Sequence, residues 1–295
     1  MNARVIDGKQ IATSINAETK ASVIALNEKG ITPGLAVVLV GDRPDSELYV
    51  AKKVETCAAL GIYSQKVHLP ATTSQLELLT LIDRLNNDPK IHGILVQSPP
   101  PKHIDESAIV HVLNPAKDVD GFHPINVGKL AMGDPTGLVP CTPSGCQELL
   151  LRSGIQTQGA HVVVVGRSMI VGKPVALLLM AAGPGGDATV TVCHSKTRHL
   201  NEITRQADIL IVAMGKPQFI GKEMVKEGAV VIDVGIHVIN DPTRKSGKRT
   251  VGDVAFEEVS QVASHITPVP GGVGPMTIAL LMRNTVKACR QAAAL

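Results

Sequence analysis

The chain has 295 residues, 44% hydrophobic and 19% charged, with 29 Lys and Arg against 26 Asp and Glu for a formal charge of +3. That length accommodates two domains with a core each, and the composition excludes a disordered chain. With no Trp, two Tyr and three Phe it lacks the rings for base stacking, and its one short basic cluster, Arg244, Lys245, Lys248 and Arg249, fits an exposed loop better than a nucleic-acid surface.

Helical and strand patterns alternate along the chain, which predicts α/β domains with mainly parallel sheets. An amphipathic helix is expected from Ile11 to Lys29, closed by Gly30, followed by a buried strand from Leu35 to Gly41. A second helix is predicted from about Ser46 to Leu60 and ended by Gly61. A third begins at Ser74, where Ser74 and Glu77 make a capping box. Ile91 to Gln97 reads as the next strand, stopped by Ser98-Pro-Pro-Pro101 because proline cannot donate to a ladder. In the second half, Thr142-Pro143 reads as an N-cap followed by proline at the first helical position. Four apolar strands then recur, His161 to Val165, Ala188 to Cys193, Asp208 to Met214 and Ala229 to Val234, in the rhythm of a doubly wound nucleotide-binding unit. Ile236 to Val254 is polar and reads as a long loop or hairpin. A closing helix is predicted from Met276 to Ala293.

Cys57, Cys141, Cys146, Cys193 and Cys289 are odd in number and widely spread, which argues against a disulfide framework and for a reducing compartment. Cys141 and Cys146 are spaced too far apart for a CxxC pair, so no metal is expected. The opening Met1 to Lys9 lacks the apolar core of a signal peptide and no apolar run reaches membrane-spanning length. The expectation is a cytoplasmic protein with neither membrane nor nucleic acid as a partner.

Val162-Val-Val-Val-Gly-Arg-Ser-Met-Ile-Val-Gly-Lys-Pro174 runs from a buried strand through a Gly-bounded turn into a helix. A pyrophosphate can sit on the backbone N–H groups of such a turn. The spacing is not GxGxxG, since Ser168 takes the place of the second glycine, and a turn of this kind also occurs without a ligand. The next strand adds information. Nicotinamide-binding units that prefer NAD carry an acid near its end to hold the ribose, whereas here Cys193 is followed by His194-Ser195-Lys196. No acid repels a 2′-phosphate, and Arg167 with Ser195, His194 or Lys196 supplies charge and donors for one. NADP is therefore expected over NAD.

Tyr49 and Lys53 are four apart on the second predicted helix and share a face. Val50, Ala51, Val54, Cys57 and Ala58 are expected to cover the stripe that faces the core, with Tyr49 and Lys53 at its flank, where a cleft lining belongs. From spacing alone such a pair is commoner as plain surface decoration; a YxxxK pair also serves short-chain dehydrogenases, but there it follows the cofactor turn, and here it precedes the turn by more than a hundred residues.

Ser46-Glu-Leu-Tyr49 through Lys53, Gly93-Ile-Leu-Val-Gln97, Lys117-Asp-Val-Asp-Gly121, Pro140-Cys-Thr-Pro143, Val165-Gly-Arg-Ser-Met-Ile-Val-Gly172, Cys193-His-Ser-Lys-Thr197 and Thr267-Pro-Val-Pro-Gly-Gly-Val-Gly-Pro-Met-Thr277 occur in this order over nearly the whole chain. Together they resemble the signatures of the bifunctional methylenetetrahydrofolate dehydrogenase/methenyltetrahydrofolate cyclohydrolase family. The resemblance implies an N-terminal α/β catalytic domain (residues 1–139), a Rossmann-like NADP-binding domain (140–274), an active-site cleft between them, and a C-terminal helix (275–295) packing back on the first domain. It implies a general acid/base at Lys53, Tyr49 beside it, and Gln97 within reach of Lys53 to orient the reacting carbon or water. Asp120 would bind the pterin, and Pro270, Gly271 and Gly272 would approach the folate. Gly166, Arg167, Ser168 and Ser195 would take the cofactor phosphates, with His194 a further cofactor-binding candidate, and the backbone near Ile236 would lie against the nicotinamide end. It further implies a role in one-carbon metabolism and purine biosynthesis, and a homodimer made through the cofactor domains with residues 236–254 as an arm.

Two features depart from the family pattern. A leucine usually follows the equivalent of Gln97, where this chain has Ser98, and Ala182-Gly-Pro-Gly-Gly-Asp187 is longer and richer in glycine than the usual turn. Alternatives to the bifunctional enzyme are a dehydrogenase without the hydrolase and a catalytically silent NADP-binding regulator. Lys53, Gln97 and Asp120 together argue against both.

Overall fold

In a computed structural model, which describes residues 2–244 and 246–295, the backbone divides into two units. Met1 and Lys245 lie outside the described residues, so the four-residue basic cluster is described only at Arg244, Lys248 and Arg249. The first unit holds residues 13–141 and 278–295; the second holds the segment up to Ala12 and residues 142–277.

The first half of the chain runs β1 (Arg4–Val5), α1 (Gly8–Asn27), β2 (Gly34–Val40), α2 (Pro44–Leu60), β3 (Tyr63–Leu69), α3 (Gln75–Asn87), β4 (Gly93–Val96), α4 (Glu106–Val112), α5 (Pro124–Met132) and α6 (Cys141–Arg152). In the first unit β2 lies between β3 and β4, all parallel. Every residue of β2 is buried, as a central parallel strand covered on both faces requires. α2 starts earlier than expected because Pro44, with φ fixed for a helix, occupies its first turn. It ends at Gly61, which donates to the Ala58 carbonyl and whose φ of 78° turns the Ile62 N–H back onto the Cys57 carbonyl. The Ser74/Glu77 capping box is present at α3.

Two sequence expectations change here. Tyr63–Leu69 was not expected as a strand. It is an edge strand whose Ser64, Gln65, Lys66 and His68 remain partly or fully exposed, so it carries no apolar run to signal it. α6 begins at Cys141, one residue before the expected Thr142 cap. Lys117 to Val119 also lies along β4, with Ile94 donating to the Lys117 carbonyl at 2.8 Å and a parallel bridge between Ile94 and Asp118.

The second half runs β5 (His161–Val165), α7 (Gly172–Met180), β6 (Thr189–Cys193), α8 (Leu200–Thr204), β7 (Ile209–Val212), β8 (Val230–Asp233), β9 (His237–Asn240), β10 (Lys248–Val251), α9 (Phe256–Val259), β11 (His265–Ile266) and α10 (Val273–Ala292). The second unit is built on one sheet in the order β1-β11-β8-β7-β5-β6, parallel throughout. β5 is flanked by β6 on one side and β7 on the other, so the winding reverses there, and a ligand crevice belongs outside the carboxyl ends of those strands. Residues 236–254 form an antiparallel hairpin of β9 and β10. The N-terminal segment, expected with the first domain, clusters with this unit because Arg4 and Val5 pair with His265 and Ile266 at the sheet edge. No helix among the described residues is long and apolar enough to cross a membrane.

Candidate active site

The buried stripe of α2 is Ser46, Val50, Lys53, Cys57 and Leu60. Lys53 thus lies on the stripe itself, only 9% exposed, and not at its flank; Ala51 and Ala58, expected inside, are exposed. Tyr49, one turn earlier, is 39% exposed. The Lys53 ammonium donates from Nζ to Gln97 Oε1 at 2.9 Å, and the Gln97 amide donates in turn to the Ser98 carbonyl at 2.8 Å. Gln97 follows β4 directly and its backbone N–H still bonds the Val38 carbonyl, so its side chain projects from the end of the β2/β4 ladder. Burial pushes the Lys53 pKa below that of an ordinary lysine, against the attraction of Asp120 and then Cys141.

Asp120 arrives on the Lys117 to Gly121 segment. Its carboxyl is pushed up to about 6 by burial, with Lys53 opposing and Asp118 adding to the rise. Three side chains absent from the sequence expectations build this corner. The buried Asp118 carboxylate accepts from the N–H groups of His123 (2.7 Å) and Gly121 (3.2 Å) and from Asn126 Nδ2 (3.0 Å), fixing the turn that carries Asp120. Asn284 on α10 donates to both the Val119 and Val139 carbonyls at 2.8 Å. Their partners are mostly main-chain groups, which leave no side-chain motif to read.

In the second unit the turn after β5 needs its glycines. Gly166 has φ of 143°, and a methyl group there would strike the Ala213 carbonyl oxygen; one on Gly172 would strike the Gly166 carbonyl. Ser168 Oγ accepts from the Val171 N–H at 3.1 Å and the Gly172 N–H at 3.4 Å, so it caps the start of α7. Arg167 is exposed beside it. Beyond β6, the His194 N–H donates to Thr197 Oγ1 (2.8 Å) and His194 Nδ1 accepts from the Lys196 N–H (3.1 Å), leaving Ser195 exposed at the tip of a closed turn. Gly166 N–H bonds the Cys193 carbonyl at 2.9 Å, which brings the two turns together. A backbone cradle that any Cβ would fill, with a guanidinium, a serine and no carboxylate at the second strand's end, fits a phosphate-bearing dinucleotide. The unusual Ala182 to Asp187 loop closes on itself, with the Gly183 N–H on Asp187 Oδ2. Ile236 is 55% exposed, and Gly272 packs so tightly against Pro268 and Thr267 that its glycine identity is set by the chain itself.

Residues 6–120 match the family model of the tetrahydrofolate dehydrogenase/cyclohydrolase catalytic domain, and residues 140–293 match that of the NAD(P)-binding domain. The chain belongs to the tetrahydrofolate dehydrogenase/cyclohydrolase family. The bifunctional protein FolD of Dehalococcoides mccartyi is 58% identical over 297 residues, covering 100% of this chain and 99% of that one. Among solved structures, the bifunctional FolD enzyme of Campylobacter jejuni is 49% identical with a TM-score of 0.91, over 98% of this chain and 99% of that chain. The Trypanosoma brucei methylenetetrahydrofolate dehydrogenase-cyclohydrolase, solved with NADP cofactor and inhibitor, is 42% identical with a TM-score of 0.93 over 100% of both chains.

In this family member the half-buried acid carries a stability cost that can be measured. Because the folded-state pKa of Asp120 is raised to about 6 from 3.8, its contribution to stability is fully present below 3.8 and is lost as pH rises through about 6. Asp120→Asn is therefore expected to be more stable than the parent at pH 7.5 by roughly 1 kcal/mol, discounted for partial exposure. Thermal unfolding between pH 4 and 8 checks this. A difference as large at pH 4 as at pH 7.5 contradicts the assignment.

Proposed function

We propose that the protein oxidises 5,10-methylenetetrahydrofolate with NADP and hydrolyses the resulting 5,10-methenyltetrahydrofolate to 10-formyltetrahydrofolate. The carrying observation is a lysine kept in a buried stripe, hydrogen-bonded to a glutamine and electrostatically coupled to a carboxyl group, in a chain that also carries the NADP-type turn. The full-length likeness to bifunctional relatives supports both activities and disfavours a dehydrogenase without the hydrolase.

NADP, when bound, supplies the hydride acceptor. The chain's own residues bind, orient and move protons. Gly166, Arg167, Ser168, His194 and Ser195 hold the phosphates, and Ile236 offers an apolar surface to the nicotinamide end. Asp120 hydrogen-bonds the pterin edge, Tyr49 packs beside it, and Pro270, Gly271 and Gly272 border the folate. In the hydrolysis, water attacks the methenyl carbon while Lys53 Nζ, lowered by burial and held by Gln97, takes a proton from it. The resulting carbinol gives up its O–H proton, the bond from carbon to N5 breaks, and N5 is protonated, for a net release of one proton. The cationic substrate itself favours the neutral amine.

We assign the folate-side roles to the 1–139 segment less its first twelve residues, which cluster with the second unit, and the NADP-binding roles to 140–274, with the last helix returning to the first domain. We further propose a homodimer through the NADP-binding units with the β9/β10 hairpin as its arm, for which the exposed Val238 is an apolar contact. A cytoplasmic location and a supply role for purine biosynthesis accord with five buried free cysteines and with the product.

The cofactor assignment is tested by initial rates with NADP and NAD. Arg167→Ala is expected to lower kcat/KM for NADP by ~10–100-fold, the worth of a charge-assisted phosphate contact, and to leave that for NAD within about twofold. Equal relative losses with both cofactors would remove Arg167 from the 2′-phosphate.

A further inference from the structure

Two buried carboxylates at the carboxyl ends of β7 and β8 are absent from the roles above. Asp253 follows β10, and its side chain is 0% exposed. It accepts from three successive backbone N–H groups, Met214 (2.7 Å), Gly215 (3.0 Å) and Lys216 (2.8 Å), and from His237 Nε2 (2.7 Å). Asp233, the last residue of β8, accepts from the N–H groups of Gly235, Asp253 and Val254, each at 2.9 Å. A methyl group on Gly235 would strike the Asp253 carboxylate, and one on Gly252 would strike that of Asp233. The two acids therefore clamp the loops after β7 and β8 to the hairpin. Gln218 and Ile220 add N–H bonds to the Gly252 and Asp253 carbonyls at 2.9 and 3.0 Å.

The place of this clamp gives it meaning. Ala213, whose carbonyl closes against Gly166, is immediately followed by the three amides on Asp253. The clamped loop thus forms one lip of the crevice where the sheet reverses, opposite the phosphate turn. Ile236 stands between Gly235, fixed by Asp233, and His237, fixed by Asp253. Burying a carboxylate is costly, and here it is offset by main-chain N–H groups that no side-chain replacement removes. A buried carboxylate that orders main chain at a crevice is better explained by the geometry it enforces.

We infer that Asp253, through the Met214–Lys216 amides and His237, is a positioning residue for hydride transfer. It holds the strand-end loops that seat the nicotinamide end of NADP and has no part in methenyl hydrolysis. This rests on the NADP-dependent oxidation proposed above.

The test is Asp253→Asn, which keeps the shape but replaces one acceptor oxygen with a donor facing N–H groups. In the cofactor-free protein, hydrogen exchange at residues 214–216 is expected to accelerate by at least ~10-fold while β5 is unchanged. Dehydrogenase kcat is expected to fall ~30–100-fold with the KM for NADP within about threefold, since the phosphate turn is untouched. Methenyl hydrolysis, which needs no NADP, stays within about twofold. His237→Phe removes one of the four donors and is expected to lower dehydrogenase kcat by ~3–10-fold, which keeps the inference testable should Asp253→Asn fail to fold. Unchanged exchange, a parallel loss of hydrolysis, or a rise in KM for NADP with kcat intact would each overturn it. Absence of NADP-linked oxidation in the parent enzyme would instead strike the proposed function, and the exchange measurement would still report on the clamp.

Discussion

Lys53→Ala is expected to lower methenyltetrahydrofolate hydrolysis by ~10³-fold, within the range for loss of a general base, while NADP binding stays unchanged. The argument starts from burial. A lysine 9% exposed on the core stripe of α2 destabilises its own ammonium, and its lowered pKa brings the neutral amine closer to working pH. The Gln97 contact fixes Nζ, so the lost group is positioned as well as basic. Lys53→Arg separates the two properties: guanidinium keeps the charge but does not deprotonate in proteins, so it too is expected to be inactive. In the parent, hydrolysis rises with pH as the amine loses its proton. Retention of hydrolysis in Lys53→Arg would show that charge, and not proton removal, is what the site supplies.

How far these features could be read in sequence depends on what each residue touches. β2 and β5 were legible because both faces of a central parallel strand are apolar. β3 was not, since its edge position tolerates Ser64, Gln65 and Lys66. The Tyr49/Lys53 helix and the Gly166 turn were legible as motifs. The burial of Lys53 was not, because a pattern of apolar residues assigns a lysine to the outside, while here Ser46 and Lys53 occupy core positions at the spacing of Val50, Cys57 and Leu60. Asp118, Asp233 and Asp253 were missed for a shared reason. Most of their partners are backbone N–H groups, and main-chain donors have no residue type. A faint signal existed in Gly235 and Gly252, each placed where a Cβ would run into one of the carboxylates.

Gly166→Ala is expected to lower dehydrogenase activity by at least ~100-fold and to cost about 1–3 kcal/mol of stability, the toll of a strained backbone position, while sparing methenyl hydrolysis. Two independent obstacles meet at this residue. Its φ of 143° is a conformation that L side chains rarely adopt, and the added methyl points at the Ala213 carbonyl oxygen. Relief requires the turn to move away from the loop after β7. That shift carries Arg167 and Ser168 with it and breaks the N–H bond from Gly166 to the Cys193 carbonyl that ties the turn to the His194–Thr197 loop. The amides proposed to bind phosphate and the Arg167/Ser195 pair then lose their common geometry, so the KM for NADP should rise steeply, unlike the kcat-dominated loss expected for Asp253→Asn. Calorimetric titration with NADP, set beside the hydrolysis rate on methenyltetrahydrofolate, measures both sides of this claim. Undiminished NADP affinity in Gly166→Ala would mean that the turn after β5 is not where the cofactor phosphates sit.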